Sequence, residues 1–423
     1  MSADIAIAYH TRTMHFPWRY ARSAGYMDWD SQPEPFRWFE GAARLELPRP
    51  AAGAGAGLGE VNAGRVAPAA VNRDSVGQLF GDALAISSWK AMGEGRWAVR
   101  CNPSSGNLHP TEGYLLCGPV SDLCLDPGLF HYACREHDLE RRRLISATGW
   151  TGLRGDLAAS TLIIGLSSIP LRESWKYGER ALRYCLLDAG HALGAFAYAA
   201  AALGWRCALL PRPGDDRVGR LLGLEDSSGP EIERPELLLA VGPEIEAGAA
   251  GFWLPTAATV TEACAGALLG VANPLATSHQ PWPVIDGCAL ACVQPDLAAM
   301  TAHDHRRAAF ATPSTATAAP EHLVSARALL HRRRSAVAMD GATNMAAATF
   351  FGLLRSTLDA PPVRALPWQP LLHLGLLVHR VEGLRPGLYL LVRDPDILSR
   401  LQQTIGGLED AEPVPEAAGL SLF

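Results

Sequence analysis

The sequence predicts an α+β protein of more than one domain. Three observations carry the prediction. Short apolar runs bounded by turn residues read as strands over 113–117, 128–132, 160–167, 236–241 and 373–378. Apolar residues at helical spacing (Val76, Leu79, Phe80, Leu84) read as a helix over 75–84, with further helices over 180–202 and 344–354. A turn-and-strand motif occurs twice, as Pro127-Gly128-Leu129-Phe130 and Pro386-Gly387-Leu388-Tyr389. This weak internal repeat suggests two copies of one domain, the second incomplete because no counterpart of the 180–202 helix follows it.

The boundaries follow from composition. Residues 1–60 are rich in aromatics, Pro and Arg and read as an ordered arm, ending in the Ala/Gly loop 51–57. Residues 61–245 hold the first domain. Residues 246–320 comprise a packed segment and then an Ala/Thr/Pro linker over 301–320. Residues 321–423 form the partial second domain, helical from near residue 321.

With 423 residues and 48% hydrophobic content, a sizeable core is available. A net charge of -6 and a pI near 6.1 argue against nucleic acid or an anionic membrane as the main partner. The nine cysteines are an odd count without a Cys-x-x-Cys, so reduced thiols in the cytoplasm fit better than a disulfide framework or a zinc site. His10 and His15 lack the spacing and the third ligand of a metal site. The N-terminus carries no signal-peptide pattern. The alanine-rich stretch 192–205 is shorter than the roughly 20 residues a membrane span needs and reads as a buried helix.

Two segments carry chemistry. In Pro103-Ser104-Ser105-Gly106-Asn107, the Ser and Asn side chains offer short donors and acceptors, and Gly106 lets a flat ligand approach the backbone. A plain Ser/Asn turn reads equally well from those residues alone. Lys176-Tyr177 offers two groups that could serve as a base, although each needs help near neutral pH. On one continuous helix Arg180 and Arg183 would share the Lys176 face, either depressing its proton affinity or forming a solvated basic stripe. Tyr177 and Tyr184 at i, i+7 read as packing. His191, one turn from Asp188, reads as a core histidine rather than a proton relay. Arg333-Arg334-Ser335 reads, by itself, as a basic turn of helix. A Gly-x-Gly-x-x-Gly or P-loop pattern does not occur.

Taken in order, several islands resemble the nitroreductase-like FMN flavoproteins. They are Tyr9-His10-x-x-Thr13 with Asp28-Trp29; Ser88-Trp89-Lys90 with 100–114; Gly128-Leu129-Phe130-His131-Tyr132; Trp175-Lys176-Tyr177-Gly178-x-Arg180-x-x-x-Tyr184; Asp188-x-Gly190-His191; and Arg332-Arg333-Arg334-Ser335. The resemblance is closest to the tandem branch that holds the SagB-type azoline dehydrogenases of thiazole/oxazole-modified peptide biosynthesis. It implies a mixed sheet flanked by helices, in an obligate two-fold dimer with FMN at the interface. One subunit gives an Arg-x-Ser at the start of its first helix, and the other gives the Pro-Ser-Ser-x-Asn loop.

This chain divides those halves between its two domains. The resemblance therefore implies a tandem pseudo-dimer, or a homodimer, with one composite FMN site per chain. Arg333 would meet the phosphate, with Arg334 and Ser335 beside it. Ser104, Ser105 and Asn107 would meet the ring edge. Lys176 and Tyr177 would carry catalysis, and His109 and Arg180 would contact flavin or substrate. The expected function is FMN-dependent dehydrogenation of a peptide-derived azoline or related small heterocycle. The alternatives are an NAD(P)H-dependent nitro or quinone reductase of the same fold, and a flavin-free scaffold that binds a modifying partner.

Overall fold

The computed structural model describes residues 2–49, 55–298, 324–358, 366, 372–394, 397–406, 411–417 and 419–422. The linker expected over 301–320 and most of the loop expected over 51–57 lie outside them.

The chain opens with helix α1 (Ser2–Thr13), where the sequence shows little periodicity. Specific bonds hold it instead of an apolar stripe. The Tyr9 hydroxyl donates to the Glu179 carbonyl at 2.6 Å, and the Arg12 guanidinium pairs with the Glu179 carboxylate at 2.5 Å. Short strands β1 (Phe39–Glu40) and β2 (Arg44–Glu46) and helix α2 (Leu58–Asn62) follow. Helix α3 (Arg73–Ala83) begins with a capping box, in which Asn72 Oδ1 accepts from Ser75 N and Ser75 Oγ accepts from Asn72 N. The Arg73-Asp74-Ser75 triplet thus starts this helix. Strands β3 (Ile86–Met92) and β4 (Gly95–Arg100) form a hairpin that the sequence reading missed, turning at Gly93 with φ 60°.

Strands β5 (Thr111–Cys117), β6 (Gly128–Ala133) and β7 (Asp138–Leu144) come next, then helix α4 (Ala147–Arg154) and strand β8 (Leu162–Ser168). Helices α5 (Pro170–Tyr177) and α6 (Ala181–Ala202), strand β9 (Arg206–Leu209), helix α7 (Asp215–Leu221) and strand β10 (Arg234–Gly242) complete the larger unit. Its seven strands run in the order β2-β7-β6-β5-β8-β10-β9, and every neighbouring pair is antiparallel. Every residue of β5, β6 and β8 is buried, because helices cover both faces of the sheet. On one face, Val76, Leu79 and Phe80 of α3 and Ala192, Phe196 and Ala199 of α6 meet Leu115, Phe130 and Ile164. On the other, Trp150 and Leu153 of α4 and Leu221 of α7 meet Leu116, Leu129 and Ile163. By length and composition alone, 170–202 could cross a membrane, but 67% of its most apolar window is buried in this core. Its alanines let α6 approach the sheet closely.

After β10 the chain forms helices α8 (Ala247–Phe252) and α9 (Ala257–Ala263), strand β11 (Val271–Ala272) and helix α10 (Pro283–Ala291). Helix α11 (Ala326–Arg332) then packs on the larger unit. Ala326 joins Val61, Ala201 and Ala202, and Arg327 Nε meets Asp82 Oδ2 at 2.7 Å. Helix α12 (Ala347–Ser356), strands β12 (Leu374–Val378) and β13 (Gly387–Leu391), helix α13 (Leu398–Thr404) and strands β14 (Glu412–Pro413) and β15 (Leu420–Leu422) follow. Those strands form a second, smaller sheet in the order β12-β13-β15-β14. Phe350, Phe351 and Leu354 of α12 pack on it, against Val378, Tyr389 and Leu391. Both copies of the repeated motif lead into strands, β6 and β13.

A charged chain crosses the buried sheet. Arg172 Nη1 meets Glu112 Oε1 at 2.5 Å, with both residues almost fully buried. His131 bridges Glu112 Oε2 at 3.2 Å and Glu140 Oε2 at 3.1 Å. Burial works against ionisation of Glu112, but Arg172 and His131 outweigh it and hold the carboxyl at about 2. Removing one member of a buried pair strands the other, so Glu112→Ala is expected to cost about 3–5 kcal/mol in urea unfolding. The folded carboxyl titrates below the unfolded one. The pair therefore stabilises above pH about 4.5, and that contribution is lost as pH falls toward about 2. Glu112→Gln should flatten that acid limb; an unchanged limb would refute the assignment.

Candidate functional site

The Pro-Ser-Ser-Gly-Asn loop joins β4 to β5. Its backbone is left-handed at Gly106 (φ 58°), Asn107 (φ 60°) and His109 (φ 53°). Asn and His are among the non-glycine residues that accept this conformation most readily. Local bonds hold it. The Asn107 amide nitrogen donates to the Ala98 carbonyl at 2.6 Å, and Asn107 Oδ1 lies 3.0 Å from His109 Nε2. The His109 N–H donates to Ser104 Oγ at 2.8 Å. The Ser105 N–H and hydroxyl donate to Asp188 at 3.1 Å and 3.0 Å. The Ser104, Ser105 and Asn107 side chains therefore shape the loop, and the Gly106 backbone is left exposed.

Helix α5 brings Tyr177 to that loop, with Lys176 beside it in the sequence. A Cβ added to Gly106 would lie 2.5 Å from the Tyr177 hydroxyl, so the phenol rests on the glycine. Gly178, at φ 51°, ends α5, and the expected continuous helix is corrected here. Arg180 and Arg183 consequently leave the Lys176 face. Arg180 bonds the Tyr184 hydroxyl at 3.0 Å and the Thr13 carbonyl, and Arg183 bonds Thr13 Oγ1 at 2.7 Å, so both tie α1 down. The Tyr177 and Tyr184 rings pack with centroids 4.4 Å apart. Lys176 is half-buried, its Nζ 5.5 Å from the Tyr177 ring centroid, and it forms no ion pair among the described residues. It is also one of only two lysines, in a chain with 37 lysine and arginine residues.

Burial, Glu173, Tyr184 and Asp188 together push the Tyr177 phenol up to about 12. Asp188, 1% exposed, is also raised by burial, opposed by its bonds from Ser104 and Ser105. The sequence reading missed Glu173. It is fully buried one turn before Lys176, and neither carboxyl oxygen has a hydrogen-bond partner. In the sequence it looks like an ordinary acidic residue of a helix's first turn; only burial distinguishes it. His191, expected in the core, is exposed, because α6 turns that face outward.

Arg333, Arg334 and Ser335 do not lie within a helix or begin one. Helix α11 ends at Arg332, and Arg333 leaves it with ψ 132°. The Arg334 guanidinium caps that end, donating to the carbonyls of His331 at 2.8 Å and Arg333 at 2.6 Å. The segment reaches the foot of the loop: Arg334 approaches the Ser87 carbonyl at 3.5 Å, and His331 Nδ1 lies 3.6 Å from Cys101 Sγ. Arg333 is half-buried, with its Nε unpartnered. Among the described residues no hydrogen bond or ion pair joins 333–335 to 104–107. A cavity of about 900 Å³ opens beside the loop, lined by Gly106, Asn107 and His109 and by Trp29, Trp89 and Trp97.

Comparison with known proteins bears on this geometry. Residues 68–243 match the model of the nitroreductase family. A solved structure assigned as a nitroreductase from Anabaena variabilis aligns with a TM-score of 0.62 and 20% identity, over 94% of this chain and 81% of its own; this likeness shows the fold. Another assigned nitroreductase, from Ralstonia eutropha, aligns at 0.36 with 16% identity, over 54% of this chain and 99% of its own. The E. coli microcin synthetase McbBCD complex with truncated pro-MccB17 aligns at 0.34 with 16% identity, over 48% of this chain and 71% of its own. None of the curated proteins compared matches the chain.

Gly106→Ala is expected to cost about 1–2 kcal/mol through its left-handed backbone alone, and more through the contact with Tyr177. Tyr177→Phe, which removes the clashing hydroxyl, should recover part of the loss in thermal melts. Equal stability of wild type and Gly106→Ala would contradict this geometry.

Proposed function

We propose that this chain is an FMN-dependent oxidoreductase that dehydrogenates a peptide-derived azoline or related small heterocycle, with Lys176 as the base. The observation that carries the reading is the Tyr177 hydroxyl resting on Gly106. It joins the Lys-Tyr pair to the loop on which the family resemblance rests. The family match over 68–243 supports flavin chemistry in the same region.

The residues present suit FMN. Gly106 offers bare backbone to a flat ring. Arg333 offers an unpartnered, half-buried guanidinium nitrogen for a phosphate, and Arg334 and Ser335 adjoin it. When bound, FMN supplies the hydride acceptor.

The chain's own residues supply the proton chemistry. Lys176 takes a proton from the substrate carbon. An arginine would keep its charge and could not do so. Tyr177 keeps its proton near neutral pH, which favours the lysine as the base. Asp188 acts through Ser105, holding Gly106 against Tyr177. His109, fixed by Asn107, borders the cavity beside the loop. In this reading 61–245 form one domain and 321–423 a partial second, and the two pair internally around a single flavin.

The purified full chain is expected to be yellow and to carry one FMN per chain. Arg333→Ala should lower that occupancy. Lys176→Met should keep the flavin and lower turnover about 10²–10⁴-fold, the usual worth of a general base. A colourless protein that takes up no added FMN would overturn the proposal.

A further inference from the structure

Lysine in water keeps its proton well above neutral pH. A lysine base therefore needs somewhere to send that proton first. The structure offers a group one turn away on α5 that no other part of the site uses.

Glu173 is fully buried, and both of its carboxyl oxygens lack a hydrogen-bond partner. Buried polar groups are nearly always paired, so an orphan carboxyl asks for a role. The groups facing it are few. On α5 they are Arg172, Lys176 and Tyr177, and from α6 they are Asp188 and Cys185. Arg172 commits its Nε and Nη1 to Glu112, to the Glu34 carbonyl and to the His109 carbonyl. Asp188 accepts from the Ser105 N–H and hydroxyl, while Glu173 accepts nothing. Of two buried carboxyls close enough to influence one another, the unbonded one takes the proton more readily. Burial and then Asp188 raise Glu173 well above the usual carboxylate range, with Lys176 and Arg172 opposing.

We propose that Glu173 is a positioning residue that receives a proton from Lys176, freeing the Lys176 amine to take one from the substrate. This rests on the reading of Lys176 as base. The balance is as follows. On the alkaline side of the usual glutamate range, where Glu173 is ionised, it accepts a proton from the Lys176 ammonium through one water. The resulting amine accepts a proton from the substrate carbon and is an ammonium again. The substrate's hydride would go to the oxidised flavin that the proposed function names as acceptor. In total the substrate loses a proton and a hydride, Glu173 becomes neutral, and the flavin gains two electrons.

The chain's two lysines, Lys90 and Lys176, allow a direct test. Reductive methylation with ¹³C labels both amines, and Lys90→Arg and Lys176→Arg assign their NMR signals. In the full-length wild type, the Lys176 signal should show an inflection on the alkaline side of the usual glutamate range, as Glu173 changes charge. The inflection should be absent in Glu173→Gln and shifted in Glu173→Asp. Lys90 should not report it. A Lys176 signal without that inflection in wild type, or one that survives Glu173→Gln, overturns the proposal.

Stability gives a second readout. The folded value of Glu173 lies above the unfolded one, so wild type loses stability as pH rises from the unfolded glutamate range through the folded value. Glu173→Gln should gain stability over wild type with rising pH across that window, and no such gain should appear below it. A variant that instead loses ground as pH rises would mean that Glu173 is an ionised, paired carboxylate. Absence of flavin or of turnover in wild type would strike the oxidoreductase reading and leave both titrations unchanged.

Discussion

The buried Arg172–Glu112 pair is the constraint on which the site depends. Glu112 belongs to β5, in the middle of the large sheet, and Arg172 to the first turn of α5. The same guanidinium donates to the carbonyls of His109 and Glu34. One cation thus fixes the sheet, the end of the Pro-Ser-Ser-Gly-Asn loop, the N-terminal arm and the helix bearing Lys176. Two charges brought out of water repay that cost only if their geometry is tight. The arrangement meets this condition through His131, which extends the network to Glu140.

From that anchor the site is built by internal satisfaction. The loop spends its own hydroxyl and amide groups on Asp188, Ala98 and His109. Strain at two left-handed residues, Asn107 and His109, is held in place by those bonds. What remains outward is glycine backbone, and against it lies a phenol whose proton burial makes hard to remove. Glu173 stands apart: among the described residues neither of its carboxyl oxygens has a hydrogen-bond partner. The contrast between it and Asp188 comes from hydrogen bonding, since both are buried.

Much of the fold was legible in the sequence because it is local. The capped helix at Arg73–Ala83, the strands at Thr111–Cys117 and Leu162–Ser168, and the alanine-rich core helix announce themselves by period and punctuation. The β3–β4 hairpin was missed although Gly93-Glu94-Gly95 marks its turn, because its exposed Trp89, Met92 and Trp97 break the expected alternation of buried and solvated residues. Helix α1 was missed because its anchors, Tyr9 and Arg12, find their partner in Glu179, far along the chain.

The sequence by itself determined the main strands and helices of the core, the glycine-bearing loop and the Lys-Tyr pair, since each is written in neighbouring residues. Only the tertiary structure decided that Tyr177 rests on the loop, that α5 stops at Gly178 and frees Lys176 from Arg180 and Arg183, and that 333–335 follow a helix instead of starting one. It also decided that Glu173 is buried and His191 exposed. The reason is physical. Backbone preference is set within a few residues, whereas burial and charge depend on which distant segments exclude water from a side chain.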